Sequence, residues 1–149
     1  MARVTRTRSV EAPPKEVWKL VSDPYSLPRW WPRTTRVENV DDKGGRRARW
    51  TKVLETSEGR GVRADFRCVS SAEGERYLWE QELAGTPFER HLKALQVEVR
   101  LREQGGGTEI SLTEEQSLKG MSKLGSPLMR RAREDVLDEA LDGIERALA

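Results

Sequence analysis

The sequence has few of the residues that build common catalytic and metal sites. Its 149 residues include one cysteine, Cys68, and one histidine, His91. A lone cysteine cannot form an intramolecular disulfide, which favours a reducing, cytoplasmic compartment. His91 has no second His or Cys close to it in the sequence, which argues against a zinc site. The chain also lacks a Gly-x-Ser-x-Gly motif for a hydrolase nucleophile. We therefore predict no metal and no cofactor.

Long apolar runs are missing as well. No stretch approaches about 18 consecutive apolar residues, and the first residues lack the apolar core of a signal peptide, so we predict no contact with a membrane. The net charge is only +2. The arginines are spread along the chain and no nucleic-acid-binding motif is present, so we predict no nucleic-acid partner.

Apolar residues make up only 36% of the chain, but they include five tryptophans. A tryptophan can bury on the order of 200 Å², so the aromatic residues offset a thin aliphatic supply. The length fits one domain, which we place at residues 1–149.

The C-terminal segment carries the strongest helical pattern. Apolar residues recur at helical spacing from Leu128 to Leu148, and the opposite side is mostly acidic. Ser126 suits the N-cap and Pro127 suits the first helical position. The pattern predicts a helix of roughly 33 Å, and its apolar stripe requires a partner surface.

Strand patterns fill most of the remaining chain. Alternating apolar and polar residues between turn sequences predict seven strands. Pro14 opens a short predicted helix, and a helical turn follows it. The helical segments cover residues 15–22, 25–30 and 126–149, and the strands cover 3–10, 33–39, 46–54, 60–69, 76–83, 91–103 and 108–117. The short turns, including those at 42–45 and 57–59, exclude a parallel sheet. The predicted fold class is α+β, with a curved antiparallel sheet around the long C-terminal helix.

Several short motifs occur along the predicted helices and strands. They are VEAPPKEVW at 10–18, SDP at 22–24, LPRWWP at 27–32, WEQEL at 79–83, GTPFER at 85–90 and GTEI at 107–110. With the terminal helix, they resemble the START-like, Bet v 1-like helix-grip superfamily (SRPBCC), and within it the bacterial polyketide cyclase/dehydrase-type branch. The resemblance covers nearly the whole chain. It implies a deep cavity between sheet and long helix, which the family uses for lipids, polyketides, hormones and other apolar molecules. It implies no single activity, because one fold hosts many functions.

The strand alternation places aromatic side chains on the concave face, where they would suit a planar apolar ligand. The alternative is that these rings only fill the core. Because Trp30 and Trp31 are adjacent, we expect one of them to pack inward and the other to border the cavity mouth. The predicted ligand-binding residues are Trp31, Trp50, Phe66, Tyr77, Trp79, Gln81, Leu95, Val97, Leu112, Gln116, Val136 and Ala140.

Polar residues on the predicted inner faces are the candidates for chemistry. Gln81, Glu114 and Gln116 fall there and need hydrogen-bond partners if they are buried. A buried Glu114 without an arginine partner would be the best general acid or base. Glu114, Gln81 and Tyr77 are therefore the candidate catalytic residues.

Arg6 and Arg8 share a strand face with Val4 and Val10. They either line the cavity and await an acidic ligand or protect an edge strand from pairing with another chain.

Three functions remain open from the sequence. The first is a binding protein for a small, mostly apolar molecule of aromatic or polyketide-like character. The second is a polyketide cyclase or dehydratase. The third is a structural or partner-binding protein whose cavity is filled by its own side chains. The bridge at 118–125 is a candidate lid.

Overall fold

The computed structural model describes residues 2–42, 47–55, 61–119 and 127–149. Ser126, the turn at 57–59, most of the turn at 42–45 and most of the bridge at 118–125 lie outside these residues, so the predictions made for them stay predictions. The strands are β1 (Ala2–Val10), β2 (Thr34–Asp41), β3 (Arg49–Glu55), β4 (Gly61–Ala72), β5 (Arg76–Glu82), β6 (Leu92–Gln104) and β7 (Gly107–Leu118). The helices are α1 (Pro14–Val21), α2 (Leu27–Trp30) and α3 (Pro127–Leu148), and two 3-10 turns cover Pro24–Ser26 and Pro87–Arg90.

The seven strands form one curved antiparallel sheet in the order β1-β7-β6-β5-β4-β3-β2. The predicted α+β fold is therefore confirmed. α1 and α2 connect the two edge strands, β1 and β2. Within the described residues, no helix combines the length and the apolar character needed to cross a membrane.

Period-two burial explains how the sheet orients its side chains. In β5, Tyr77, Trp79 and Gln81 are buried and the residues between them are half-buried. This pattern places alternate side chains on the inner face, towards α3. The inner face of the sheet therefore carries most of the aromatic residues that the sequence predicted there.

α3 packs against the sheet and α2 along only part of its length. Leu137, Ala140, Leu141, Gly143 and Ile144 are buried, whereas Leu128 is 79% exposed and Ala132 is also exposed. The predicted apolar stripe is therefore wrong in the first turns of the helix. An amphipathic period fixes which side of a helix is apolar, but it does not fix how far a partner surface extends along it.

Arg6 and Arg8 take a role that the sequence analysis did not consider. Arg6 pairs with Asp138 at 2.9 Å and with Glu134 at 3.3 Å. Arg8 pairs with two further acidic residues of α3, Asp142 and Glu145. These ion pairs attach β1 to the acidic side of α3, so the two arginines are not waiting for an acidic ligand. Their role in protecting the edge strand stays a prediction.

Candidate ligand-binding interior

Seven aromatic side chains form one cluster on the inner side of the sheet. We call them the aromatic cluster: Trp18, Trp30, Trp31, Trp50, Phe66, Tyr77 and Trp79. Trp79 is central, because its ring centroid lies within 6.2 Å of the centroids of Trp30, Trp31, Trp50 and Tyr77. Most of these contacts are edge-to-face or tilted, which are favourable arrangements for aromatic pairs. The cluster joins the sheet to α1 and α2.

Trp30 and Trp31 are both buried, at 1% and 8% exposure. The prediction that only one of them packs inward is therefore wrong. Trp30 ends α2, whereas Trp31 has an extended backbone with φ −85° and ψ 129°. Because the chain changes direction between them, both rings reach the interior, with their planes at 81°.

Several polar atoms inside this cluster lack partners. The indole Nε1 of Trp30 and of Trp50 and the Nε2 of Gln81 are buried without a hydrogen-bond partner among the described residues. The buried hydroxyl of Tyr77 interacts with the thiol of Cys68, which is only a weak acceptor. Burial raises the pKa of the Tyr77 hydroxyl far above its usual range, so it keeps its proton. All four groups can donate a hydrogen bond. The interior is therefore rich in unused donors.

Glu114 is buried, and one oxygen of its carboxylate, Oε1, accepts two hydrogen bonds. Its Oε1 accepts from Arg133 Nε at 3.1 Å and from Gln116 Nε2 at 3.0 Å. Arg133 Nη2 also donates to the main-chain oxygen of Glu114 at 3.1 Å. The condition under which Glu114 would be the best general acid or base is therefore not met, since an arginine does pair with it. Glu114 ties β7 to α3.

Lys52 is the one lysine among the described residues that is buried, with 5% of its surface exposed. Its Nζ lies 4.8 Å from the ring centroid of Trp31 and 4.7 Å from that of Phe66. Burial lowers the pKa of Lys52 to about 7, and the charge of Glu114 opposes this shift only in part. A side chain that is normally cationic therefore titrates near neutrality inside the aromatic cluster.

A cleft of about 460 Å³ opens where β5 and β6 separate. The register between these strands ends at Glu80 and Gln96, although β5 continues to Glu82. Gln81 and Leu95 border this cleft, together with charged residues of the outer surface. Gln81 therefore connects the inner face of the sheet with an opening to solvent.

The structure places the predicted ligand-binding residues on the inner side of the fold. Those that are buried are Trp31, Trp50, Phe66, Tyr77, Trp79, Gln81, Val97, Leu112 and Ala140. Those that are half-buried are Leu95, Gln116 and Val136. Their burial agrees with the strand and helix periods, and their contact with a ligand stays a prediction.

Sequence reasoning missed Lys52 and Arg133. Lys52 alternates with Trp50 and Leu54 along β3, so the period of two already indicated an inward side chain. Arg133 lies four residues before Leu137 and seven before Ala140, on the buried side of α3. The period indicated an inward side chain in both cases, but the sequence analysis assigned neither residue to a face.

Known proteins resemble this chain over its whole length. The protein family described as polyketide cyclase / dehydrase and lipid transport matches residues 1–149. A START superfamily protein from Mycobacterium smegmatis has a TM-score of 0.76 at 14% identity, covering 99% of this chain and 97% of that one. Ara h 8.0201 has a TM-score of 0.74 at 18% identity, covering 97% and 95%.

A protein from a biosynthetic pathway is among the similar structures. The di-domain ARO/CYC protein BexL of the BE-7585A biosynthetic pathway has a TM-score of 0.76 at 20% identity, covering 98% of this chain and 46% of that one. Identities this low show a shared fold and nothing finer. A search of curated proteins finds no match.

Proposed function

Because the chain belongs to the polyketide cyclase / dehydrase and lipid transport family, we propose that it binds a small, mostly apolar molecule between the inner face of the sheet and α3. The ligand has aromatic or polyketide-like character. The observation that carries this proposal is the set of unpaired donors within the aromatic cluster. An unpaired buried donor costs about 1–3 kcal/mol, and a ligand with carbonyl or other acceptor atoms removes that cost.

The cleft between β5 and β6 supports the proposal. Its lining includes Gln81, whose Nε2 is buried and has no partner among the described residues. Neighbouring rings on the inner face offer flat apolar surfaces, as Trp50 and Phe66 do, with centroids 6.2 Å apart and planes at 12°. Apolar surface with a few fixed polar groups is typical of small-molecule sites.

A fluorescence and mass-spectrometric screen tests this function. Aromatic and acyl compounds are titrated against the intrinsic tryptophan emission, and one-to-one complexes are sought by native mass spectrometry. We expect saturable binding with a change in emission, because the tryptophans line the proposed site. Gln81→Leu should weaken a carbonyl-containing ligand about tenfold, while Gln104→Leu on the exposed end of β6 should not. A protein that binds none of the compounds would instead have its interior filled by its own rings.

A cyclase or dehydratase activity is the second candidate, and Tyr77 favours it. Its hydroxyl is buried and keeps its proton, and the weakly accepting thiol of Cys68 is the group that interacts with it among the described residues. Such a hydroxyl can hold a carbonyl oxygen by hydrogen bonding as negative charge develops there. Product analysis with a poly-β-keto thioester mimic separates the two functions. An enzyme gives a cyclised or dehydrated product that Tyr77→Phe suppresses, whereas a binding protein returns the mimic unchanged.

A further inference from the structure

Lys52 lies at a buried position where a charged side chain reduces the stability of the fold and an apolar one would not. It lies on the inner face of β3, where the register places it opposite Val37 of β2 and Ala64 of β4. Next to it on the same face is Trp50, which stacks on Phe66. The amine therefore ends in an aromatic environment, and burying a cation there is unfavourable unless it is paired.

The described residues provide no such pair. Nζ has two aromatic rings below 5 Å, those of Trp31 and Phe66, and no hydrogen bond or ion pair among the residues that the structure describes. Ring faces attract a cation, but they are much weaker hydrogen-bond acceptors than an anion. The three N–H groups of the ammonium therefore lack a strong acceptor among the described residues.

The acidic group whose charge acts on Lys52 is already paired with an arginine. Glu114 stabilises the protonated amine electrostatically, but it is bound by Arg133 and Gln116. Lys52 and Arg133 carry positive charge when protonated, and Glu114 carries negative charge. Among the described residues the three therefore leave one positive charge without a counter-ion, and burial of the amine is what lowers the pKa of Lys52.

We infer that the molecule bound in this interior is a monoanion, an aromatic or acyl carboxylate, whose acidic group pairs with Nζ of Lys52. This inference rests on the proposed function and specifies the ligand class for that site. A carboxylate supplies the missing charge and accepts the ammonium hydrogens, and its apolar part contacts the aromatic cluster. Gln81 and Trp50, whose side-chain N–H groups are unpaired, flank Phe66 in the register and offer further donors.

The affinity for a carboxylate ligand should fall as the pH rises above neutrality. A carboxylate ligand stays ionised above about pH 6, whereas free Lys52 loses its charge through about pH 7. Among the described residues, the charged groups on this side of the interior are Glu114 from β7 and Arg133 from α3. The other titratable groups described there are Tyr77 and Cys68, whose pKa values burial raises, and the charges of Asp23 and Asp42 act on Tyr77. Carboxylate affinity should therefore fall about tenfold per pH unit above neutrality, and binding at higher pH should take up one proton.

The experiment compares matched acids and amides. Naphthaleneacetic acid and dodecanoic acid are titrated beside their neutral amides by calorimetry, near pH 6.5 and near pH 8.5, in two buffers of different ionisation enthalpy. We expect each acid to bind about tenfold or more tighter than its amide at the lower pH. Near pH 8.5 the acid should take up about one proton and the amide none.

Two variants test whether Lys52 causes the preference for the acid and the uptake of a proton. Lys52→Met keeps the length and the apolar stem of the side chain, and it should abolish both the acid preference and the proton uptake while amide binding persists. Lys19→Met removes an exposed lysine of α1 and should change neither. Equal affinity for acid and amide, or an acid preference that survives in Lys52→Met, overturns the inference and leaves the proposed function intact. Absence of binding by all four compounds overturns both.

Discussion

Lys52 illustrates how a single residue can be costly in the free protein and useful in a complex. Its stem packs among rings, and its amine carries the penalty of burial without a counter-ion among the described residues. Natural cores rarely keep such a group when methionine or leucine would fill the same volume. Binding of a ligand anion would offset the penalty of burying this amine.

The lowered pKa of Lys52 predicts a stability that rises with pH. The amine titrates near pH 7 when folded and near 10.5 when unfolded. Between these values the unfolded chain binds more protons, so the free energy of unfolding increases as pH rises from 7, by roughly 1–2 kcal/mol up to pH 8.5. Urea unfolding at both pH values measures this. The gain should be absent in Lys52→Met, and a gain of equal size in that variant would assign the effect to another group.

The Glu114–Arg133 pair predicts a large and non-additive mutational effect. Both side chains are mostly buried, at 9% and 12% exposure. Arg133→Met leaves a buried carboxylate unpaired and should cost about 3–5 kcal/mol of unfolding free energy. The double variant with Glu114→Gln should recover much of that loss, because it removes the stranded charge. Arg131→Met, at an exposed position of the same helix, is the control, and additive losses in the double variant would contradict the prediction.

At the scale of elements, α3 is fixed by contacts with β1, β7 and α2. β1 contributes Arg6 and Arg8, β7 contributes Glu114, and α2 approaches so closely that glycine is required at the contact. A Cβ at Gly143 would lie 2.3 Å from the main-chain oxygen of Trp30. The position of α3 thus depends on backbone contact as well as on its apolar stripe.

Gly143→Ala should therefore destabilise the protein, although alanine is the better helix former by about 1 kcal/mol. The added methyl group meets backbone, which cannot rotate away, and overpacking of this kind costs about 1–3 kcal/mol. Chemical denaturation measures the change. Arg131→Ala, a substitution to the same residue at an exposed site of α3, should be within about 0.5 kcal/mol of the wild type. Increased stability of Gly143→Ala would show that α2 and α3 are farther apart.

At the scale of the whole molecule, binding and folding are coupled through the same interior. The aromatic cluster is both the wall of the proposed site and a large part of the core. A ligand that binds only the folded chain stabilises all of it, because unfolding must first release the ligand.

A carboxylate ligand should accordingly raise the melting temperature. At a free concentration about one hundred times its dissociation constant, it adds about 2.7 kcal/mol. For a chain of this size that corresponds to roughly 5–10 °C. Scanning calorimetry with naphthaleneacetic acid near pH 6.5 measures the shift. The neutral amide at the same concentration should give a smaller one, and an unchanged melting temperature at saturating acid would contradict binding to the folded state.

The sequence by itself determined the order of elements, the antiparallel sheet, the C-terminal helix and the inward set that includes Tyr77 and Trp79. Those features follow from periods of two and 3.6 residues, which are local properties of the chain. Only the tertiary structure decided that Trp30 and Trp31 both point inward and that Arg6 and Arg8 bind α3. It also decided that Arg133 pairs with Glu114 while Lys52 has no anion beside it in the described parts of the chain. Each of these depends on which distant groups meet, and a local pattern carries no information about the partner of a charged side chain.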